Sequence, residues 1–171
     1  MSPVNQSRTR ITATSCEDGT VAPATTPCFV CDKHRLGDRA QGGVLFEDDL
    51  VYVGHVHAKA GSTAYRGHLV VEPKRHVPGL GDLRDPEAAA VGRTCSRMAR
   101  VLEAAAQAEH VYSWVIGDEV AHLHLQLVPR YPGTPREFWG PGLLRWPEGP
   151  RVDPDAMRAF ISDLRERVNA G

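Results

Sequence analysis

The sequence has few cysteines, few aromatic residues and no excess of either charge. Its 171 residues include 4 cysteines, 6% are aromatic, and 20 lysines and arginines stand against 21 aspartates and glutamates. Cysteines this few and unevenly placed do not form a disulfide scaffold, so we expect a reducing compartment. A chain with nearly balanced charge has no global positive field that would recruit nucleic acid.

Long apolar runs are missing as well. No stretch is long and apolar enough to cross a bilayer, and no apolar segment follows the basic residues Arg8 and Arg10. We therefore expect a cytoplasmic protein with no membrane or nucleic-acid partner. The hydrophobic content of 42% is enough for one ordinary core, and the length is too small for two large domains.

The composition divides the chain into two parts. Residues 1–26 are rich in serine, threonine and proline and show no apolar periodicity. Such a segment buries too little apolar surface to offset its ordering entropy, so we expect a flexible N-terminal arm. Residues 27–171 are predicted to form a single domain.

The pattern of elements in that domain predicts an α+β fold. Asp85-Pro86 and Asp153-Pro154 each place a helix-capping residue before a proline, which is typical of a helix start. Between them, the region from Arg130 to Arg151 is predicted to be irregular. Strands are expected at residues 43–46, 50–57, 68–71, 111–116 and 121–128, with helices at 86–108 and after Asp153. The acidic cluster Glu47-Asp48-Asp49 predicts a hairpin turn between the first two strands, and Pro73 is expected to end the third. Apolar residues at helical spacing predict a stripe on each helix: Ala88, Val91, Cys95, Met98 and Leu102 on the first, and Met157, Phe160, Ile161, Leu164 and Val168 on the second. We expect an antiparallel sheet of about five strands packed by a central helix and a C-terminal helix.

The segment His122-Leu-His124-Leu-Gln126-Leu alternates polar and apolar residues. In a strand, alternate side chains point to opposite faces, so His122, His124 and Gln126 are predicted to share one face while the leucines pack on the core. Histidine pairs on a strand face are also found as ordinary surface residues. The segment alone therefore leaves an active site and a plain surface as alternatives.

Cys28 and Cys31 form a CxxC pair, a spacing that lets two thiolates bind one tetrahedral metal ion. The same spacing also occurs in redox motifs. No second CxxC follows, so histidines would have to complete a zinc site. The candidates are His34, His76 and His122.

Two separated motifs resemble the histidine triad superfamily: Gly67-His-Leu-Val-Val-Glu-Pro-Lys-Arg-His76, and the segment from His122 to Tyr131. The resemblance runs from about Cys28 to Tyr131. It implies an α+β homodimer that acts on nucleoside phosphates through a covalent nucleotidyl-histidine intermediate. His124 matches the nucleophile of that family, and His68 matches its conventional active-site histidine. In zinc-containing members the corresponding ligands imply a structural zinc ion on Cys28, Cys31, His76 and His122.

The third position of the triad departs from the usual pattern, because Gln126 replaces the histidine. This variant resembles galactose-1-phosphate uridylyltransferase and dinucleoside-polyphosphate phosphorylase, which are transferases. Glutamine can donate hydrogen bonds to phosphoryl oxygens but has no titratable proton for a poor leaving group. We therefore expect a catalytic role for Gln126 with a nucleotide or nucleotide-sugar substrate and a phosphate-like acceptor. Two alternatives remain: a nucleoside phosphate or dinucleoside polyphosphate hydrolase, and a non-catalytic zinc-stabilised nucleotide-binding module.

Overall fold

The computed structural model describes residues 28–36, 43–57 and 61–170. The arm predicted at residues 1–26 lies outside these ranges. Within them, a five-stranded antiparallel sheet has the strand order β1-β2-β4-β6-β5. Its strands are β1 (Phe46–Glu47), β2 (Val51–His55), β4 (Leu69–Pro73), β5 (His110–Val115) and β6 (Leu125–Arg130). The mixed α and β architecture with five antiparallel strands confirms the predicted fold class.

In the described ranges, three α-helices accompany the sheet. They are α1 (Phe29–Leu36), α2 (Asp85–Ala106) and α3 (Pro154–Ala170). The Asp153 carboxylate accepts hydrogen bonds from the backbone N–H groups of Asp155 and Ala156, which caps α3 as the sequence predicts. The apolar stripe of α3 is buried throughout, at Met157, Phe160, Ile161, Leu164 and Val168.

The hydrophobic core lies between α2, α3 and one face of the sheet. It includes Leu69 and Val71 of β4 and Met98 and Leu102 of α2, all of which have no measurable exposure. Ala88, which the sequence pattern places on the apolar stripe of α2, is exposed. The stripe that faces the core instead begins at Ala90, and the buried Glu87 forms an ion pair with Arg75. A second, two-stranded sheet pairs β3 (Ala64–Tyr65) with β7 (Arg151–Val152).

The hairpin between β1 and β2 forms where the acidic cluster predicts it. The Asp48 carboxylate accepts hydrogen bonds from the backbone N–H groups of Leu50 and Val51, an Asx-type turn. The strands themselves are shorter than expected: β1 is shifted toward Glu47, and β2 ends at His55 rather than at residue 57.

The largest difference from the prediction concerns residues 121–128. β6 begins only at Leu125, so His122, Leu123 and His124 precede the strand instead of lying within it. The backbone of this segment pairs outside the sheet, because Leu123 N–H donates to the carbonyl of Val77. The simple alternation of faces therefore does not apply to His122.

Candidate metal centre and active site

The structure brings four of the predicted residues together as a cluster of potential metal ligands. One ligand atom each from Cys28, Cys31, His76 and His122 lies within 4.8 Å of the others. His122 Nδ1 lies 3.5 Å from the sulfurs of both cysteines, and His76 Nδ1 lies 3.4 Å from the sulfur of Cys31. Ligands at about 2.3 Å (sulfur) and about 2.1 Å (nitrogen) from a tetrahedral zinc ion are separated by about 3.6 Å. The spacing and the donor set therefore fit zinc.

His122 is oriented for this cluster by its buried surroundings. Its side chain is fully buried, and Nε2 donates to the carbonyl of Pro73 at 2.9 Å. Burial lowers the pKa of His122, which favours the neutral ring. A neutral imidazole that donates from Nε2 carries its lone pair on Nδ1, and Nδ1 is the atom that faces the cysteine sulfurs.

His124 is held by the backbone of the same segment. Its Nδ1 donates to the carbonyl of His122 at 2.8 Å. The other ring nitrogen, Nε2, then carries the lone pair. The side chain is half-buried and lines a cavity of about 180 Å³. A neutral imidazole in this tautomer has the lone pair that nucleophilic attack requires.

His68 and Gln126 form a pair on the adjacent strands. His68 Nε2 lies 2.8 Å from Gln126 Oε1, and Gln126 is the register partner of Val70 across β4 and β6. His68 is buried, and this burial lowers its pKa to about 4. The ring is therefore neutral near pH 7.

The cavity beside His124 lies between α1 and the sheet. Its wall is mainly apolar, with Phe29, Val30, Val56, Val70 and Val120. Lys33 and Glu72 supply the charged part of the lining. Phe29 is 62% exposed, so its ring stands at the rim of the cavity instead of in the core.

Comparisons with known proteins agree with this geometry. The family model of the HIT domain matches residues 39–133, more than half of the chain. The chain belongs to the HIT family. Membership suggests a nucleotide-binding protein with nucleotidyl hydrolase or transferase activity. Among proteins with curated functions, none matches the chain.

Solved HIT structures share the fold. A zinc-bound histidine triad family protein from Mycobacterium smegmatis is 22% identical, with a TM-score of 0.60 over 84% of this chain and 97% of that one. A hypothetical histidine triad nucleotide-binding protein from Sulfolobus tokodaii is 16% identical, with a TM-score of 0.61 over 84% and 93%. A Hit-like protein involved in cell-cycle regulation from Bartonella henselae is 19% identical, with a TM-score of 0.57 over 80% and 94%.

Among the described residues, no helix is long and apolar enough to cross a membrane.

His34, the remaining candidate ligand, is not one of the four clustered residues of this HIT chain, although its ring packs edge-on against the His122 ring with 5.6 Å between centroids. Its Nε2 hydrogen-bonds the Glu72 carboxylate at 2.8 Å. Lys33 contacts the same carboxylate at 2.7 Å, and all three side chains are buried. The role of Glu72 is not visible in the sequence, because α1 is not predicted and the partners lie 38 and 39 residues away.

Arg130, Cys95 and the two tryptophans near the C-terminal part of the chain have contacts outside the cluster. Arg130 forms an ion pair with Glu109 at 3.3 Å and stacks on the Trp139 ring at 3.8 Å. Cys95 is half-buried against the core, and burial raises the pKa of its thiol to about 11. Trp146 is buried in the core, whereas Trp139 is 40% exposed.

Proposed function

We propose that this HIT protein transfers a nucleotidyl group from a nucleoside phosphoanhydride to a phosphate-like acceptor through a covalent intermediate on His124. The observation that carries the proposal is the 2.8 Å hydrogen bond from His124 Nδ1 to the His122 carbonyl. It fixes the tautomer in which Nε2 is a nucleophile, in a side chain that lines a cavity.

In the first step, the Nε2 lone pair of His124 attacks the α-phosphorus. A P–N bond forms, the P–O bond to the leaving phosphate breaks, and the electron pair leaves on that phosphate oxygen. The imidazole ring becomes a cation. Its Nδ1–H group stays hydrogen-bonded to the His122 carbonyl, which disperses the positive charge. In the second step, an acceptor oxygen attacks phosphorus and the P–N electron pair returns to Nε2.

Gln126 supports the transfer of phosphate-type groups. Its amide can donate hydrogen bonds to the phosphoryl oxygens, but it cannot protonate a leaving alkoxide or amine. General-acid assistance is worth about 10²- to 10⁴-fold in rate, and a phosphate leaving group needs little of it. The nucleoside would occupy the apolar cavity, with its base against Phe29 at the rim.

The Cys28, Cys31, His76 and His122 cluster would hold a structural zinc ion. With four protein ligands, zinc has no open position for water or substrate, so it would stabilise the fold around the site. The ligands lie at the start of α1, in the segment after β4 and in the segment before β6, so the ion would join these three parts of the chain.

We also propose a homodimer, as the family resemblance implies. β5 is an edge strand that ends in the exposed Val115 and continues into the exposed Ile116, and sedimentation velocity would test pairing there.

Intact-mass spectrometry tests the covalent intermediate. The protein is incubated with a panel of nucleoside triphosphates, dinucleoside polyphosphates and nucleotide sugars, and the added mass identifies the nucleotide. His124→Ala should lose both the adduct and turnover, whereas the exposed His110→Ala should keep both. Adding inorganic phosphate or a sugar phosphate should then discharge the adduct.

The other outcomes separate the alternatives. Release to water alone, with no transfer to phosphate, would favour a hydrolase. Nucleotide binding without an adduct would favour a non-catalytic module. Turnover by His124→Ala at the parental rate would contradict the proposal outright. Gln126→His restores a titratable group, so the variant should also accept substrates with poorer leaving groups.

A further inference from the structure

A glutamine in an active site has two chemically opposite ends of almost the same shape. The amide oxygen accepts hydrogen bonds and repels a phosphoryl oxygen, whereas the NH₂ group donates and attracts it. A half-turn about the last side-chain bond exchanges these ends with little steric change. The function of Gln126 therefore depends on a neighbour that distinguishes oxygen from nitrogen.

His68 is that neighbour. Its Nε2 lies 2.8 Å from Gln126 Oε1, and an N–H group can bond only to the oxygen end of the amide. We propose that His68 is a positioning residue that holds the Gln126 amide with its NH₂ group directed toward the phosphoryl group. The proposal rests on the function proposed above and concerns the same site. It explains how a chain that lacks the third histidine keeps a hydrogen-bond donor there.

The backbone around His68 is fixed from several sides. Its N–H donates to the carbonyl of Tyr65, and its carbonyl accepts from the N–H of Val56 at 2.8 Å. The N–H of the preceding Gly67 donates to Nε2 of the buried His55 at 2.9 Å. A ring attached to so constrained a backbone keeps its position when substrate binds, which is what orientation of a second side chain requires.

The orientation depends on the tautomer of His68. Burial lowers the pKa of this ring to about 4, so near pH 7 it carries a single N–H. If that hydrogen is on Nε2, the ring donates to the amide oxygen. If it were on Nδ1, Nε2 would accept from the amide instead, and the Gln126 oxygen would face the phosphoryl group.

The first test needs no nucleotide and so is independent of the proposed reaction. The ring nitrogens of ¹⁵N-histidine-labelled protein are recorded by NMR at neutral pH, and His68→Gln assigns the His68 signals. We expect the Nε2–H tautomer for His68. The Nδ1–H tautomer would overturn the proposal even if His124 forms the adduct.

The second test is a double-mutant cycle of His68→Leu and Gln126→Leu, measured as the rate of adduct formation. Each single change should lower the rate about 10- to 100-fold, the effect of losing a hydrogen bond to a charged group. The double variant should be no slower than Gln126→Leu alone, because His68 acts through Gln126. His68→Gln can present either an N–H group or a carbonyl oxygen to Gln126, so its rate should lie between those of the parent and His68→Leu.

Additive losses in the cycle, or a parental rate in His68→Leu, would overturn the proposal. If the parent forms no adduct, the proposed reaction fails, and the same cycle is then measured as affinity for the nucleoside monophosphate that binds most tightly among AMP, GMP, CMP and UMP. The expected non-additivity is unchanged. If His68→Leu does not fold, the tautomer measurement on the parent and the His68→Gln variant still decide the question.

Discussion

Replacing Glu72 by glutamine removes a buried charge that two side chains of α1 surround. The carboxylate is 3% exposed and lies 2.7 Å from Lys33 Nζ and 2.8 Å from His34 Nε2. Removing one partner of a buried ion pair costs about 3–5 kcal/mol, because the remaining charge stays desolvated. Glutamine keeps the shape of the side chain and one hydrogen-bond acceptor, so we expect a loss at the lower end of this range, about 3 kcal/mol. For a chain of this size, such a loss of stability lowers Tm by about 6–12 °C.

The pH dependence of the same contact has a definite sign. Burial alone would raise the pKa of Glu72, but the hydrogen bond from His34 and the charge of Lys33 outweigh it and lower the pKa below its ordinary value of 4.5. A carboxyl group with a lowered folded-state pKa contributes stability above pH 4.5 and loses it as the pH falls below that value. The stability difference between parent and Glu72→Gln should therefore shrink below about pH 4.5.

Urea unfolding followed by circular dichroism measures both effects. The matched control is Asp163→Asn, which removes an ion pair to Arg167 in which both side chains are nearly half exposed. This control should change the free energy of unfolding by less than about 0.5 kcal/mol. If Glu72→Gln stays within about 1 kcal/mol of the parent at pH 7, the Glu72 carboxylate does not anchor α1.

Two further predictions concern the metal and a glycine. Metal analysis should find one zinc ion per chain. Cys28→Ser should lose the ion, and its effect on the free energy of unfolding should be larger than its effect on the reaction rate. A Cys28–Cys31 disulfide would contradict this prediction. Gly67→Ala should lower the free energy of unfolding by about 1–3 kcal/mol in urea titrations, because Gly67 has a φ of +81° and the new Cβ would lie 2.8 Å from Pro129 Cγ. Gly117→Ala, where a Cβ meets nothing within 4 Å, is the control, and equal losses in the two variants would refute the steric argument.

Local signals in the sequence were sufficient for most of the fold. Apolar periodicity placed α2 within two residues at either end, although its N-cap is Arg84 and not the predicted Asp85. The Asp153 cap and the apolar periodicity after it gave every buried position of α3. An Asx turn at Asp48 and the proline that ends β4 marked two strand boundaries. These features depend on residues close in sequence, and neighbouring residues determine them whatever the rest of the chain does.

Features that depend on distant residues were not predictable in this way. α1 has only 8 residues, and a helix that short is marginal by itself, so contacts with the sheet have to stabilise it. Those contacts run through Glu72, which in the sequence is one acidic residue in an apolar strand. The strands β3 and β7 have two residues each and are 86 residues apart at Tyr65 and Arg151. No local pattern indicates such a pair.

The histidine segment shows how residues that the structure brings close together can be selected by a partly incorrect geometric argument. Alternation in a strand predicted His122 and His124 side by side on an open face, but both precede β6 and His122 is fully buried. What relates them is the His122 residue itself: its ring faces the cysteine sulfurs and its carbonyl accepts the His124 Nδ1 proton. Any displacement of the His122 ring that moves its backbone therefore changes the hydrogen bond that fixes the tautomer of His124. Stability at the metal cluster and orientation of the proposed nucleophile are thus coupled through one residue, over a single peptide unit.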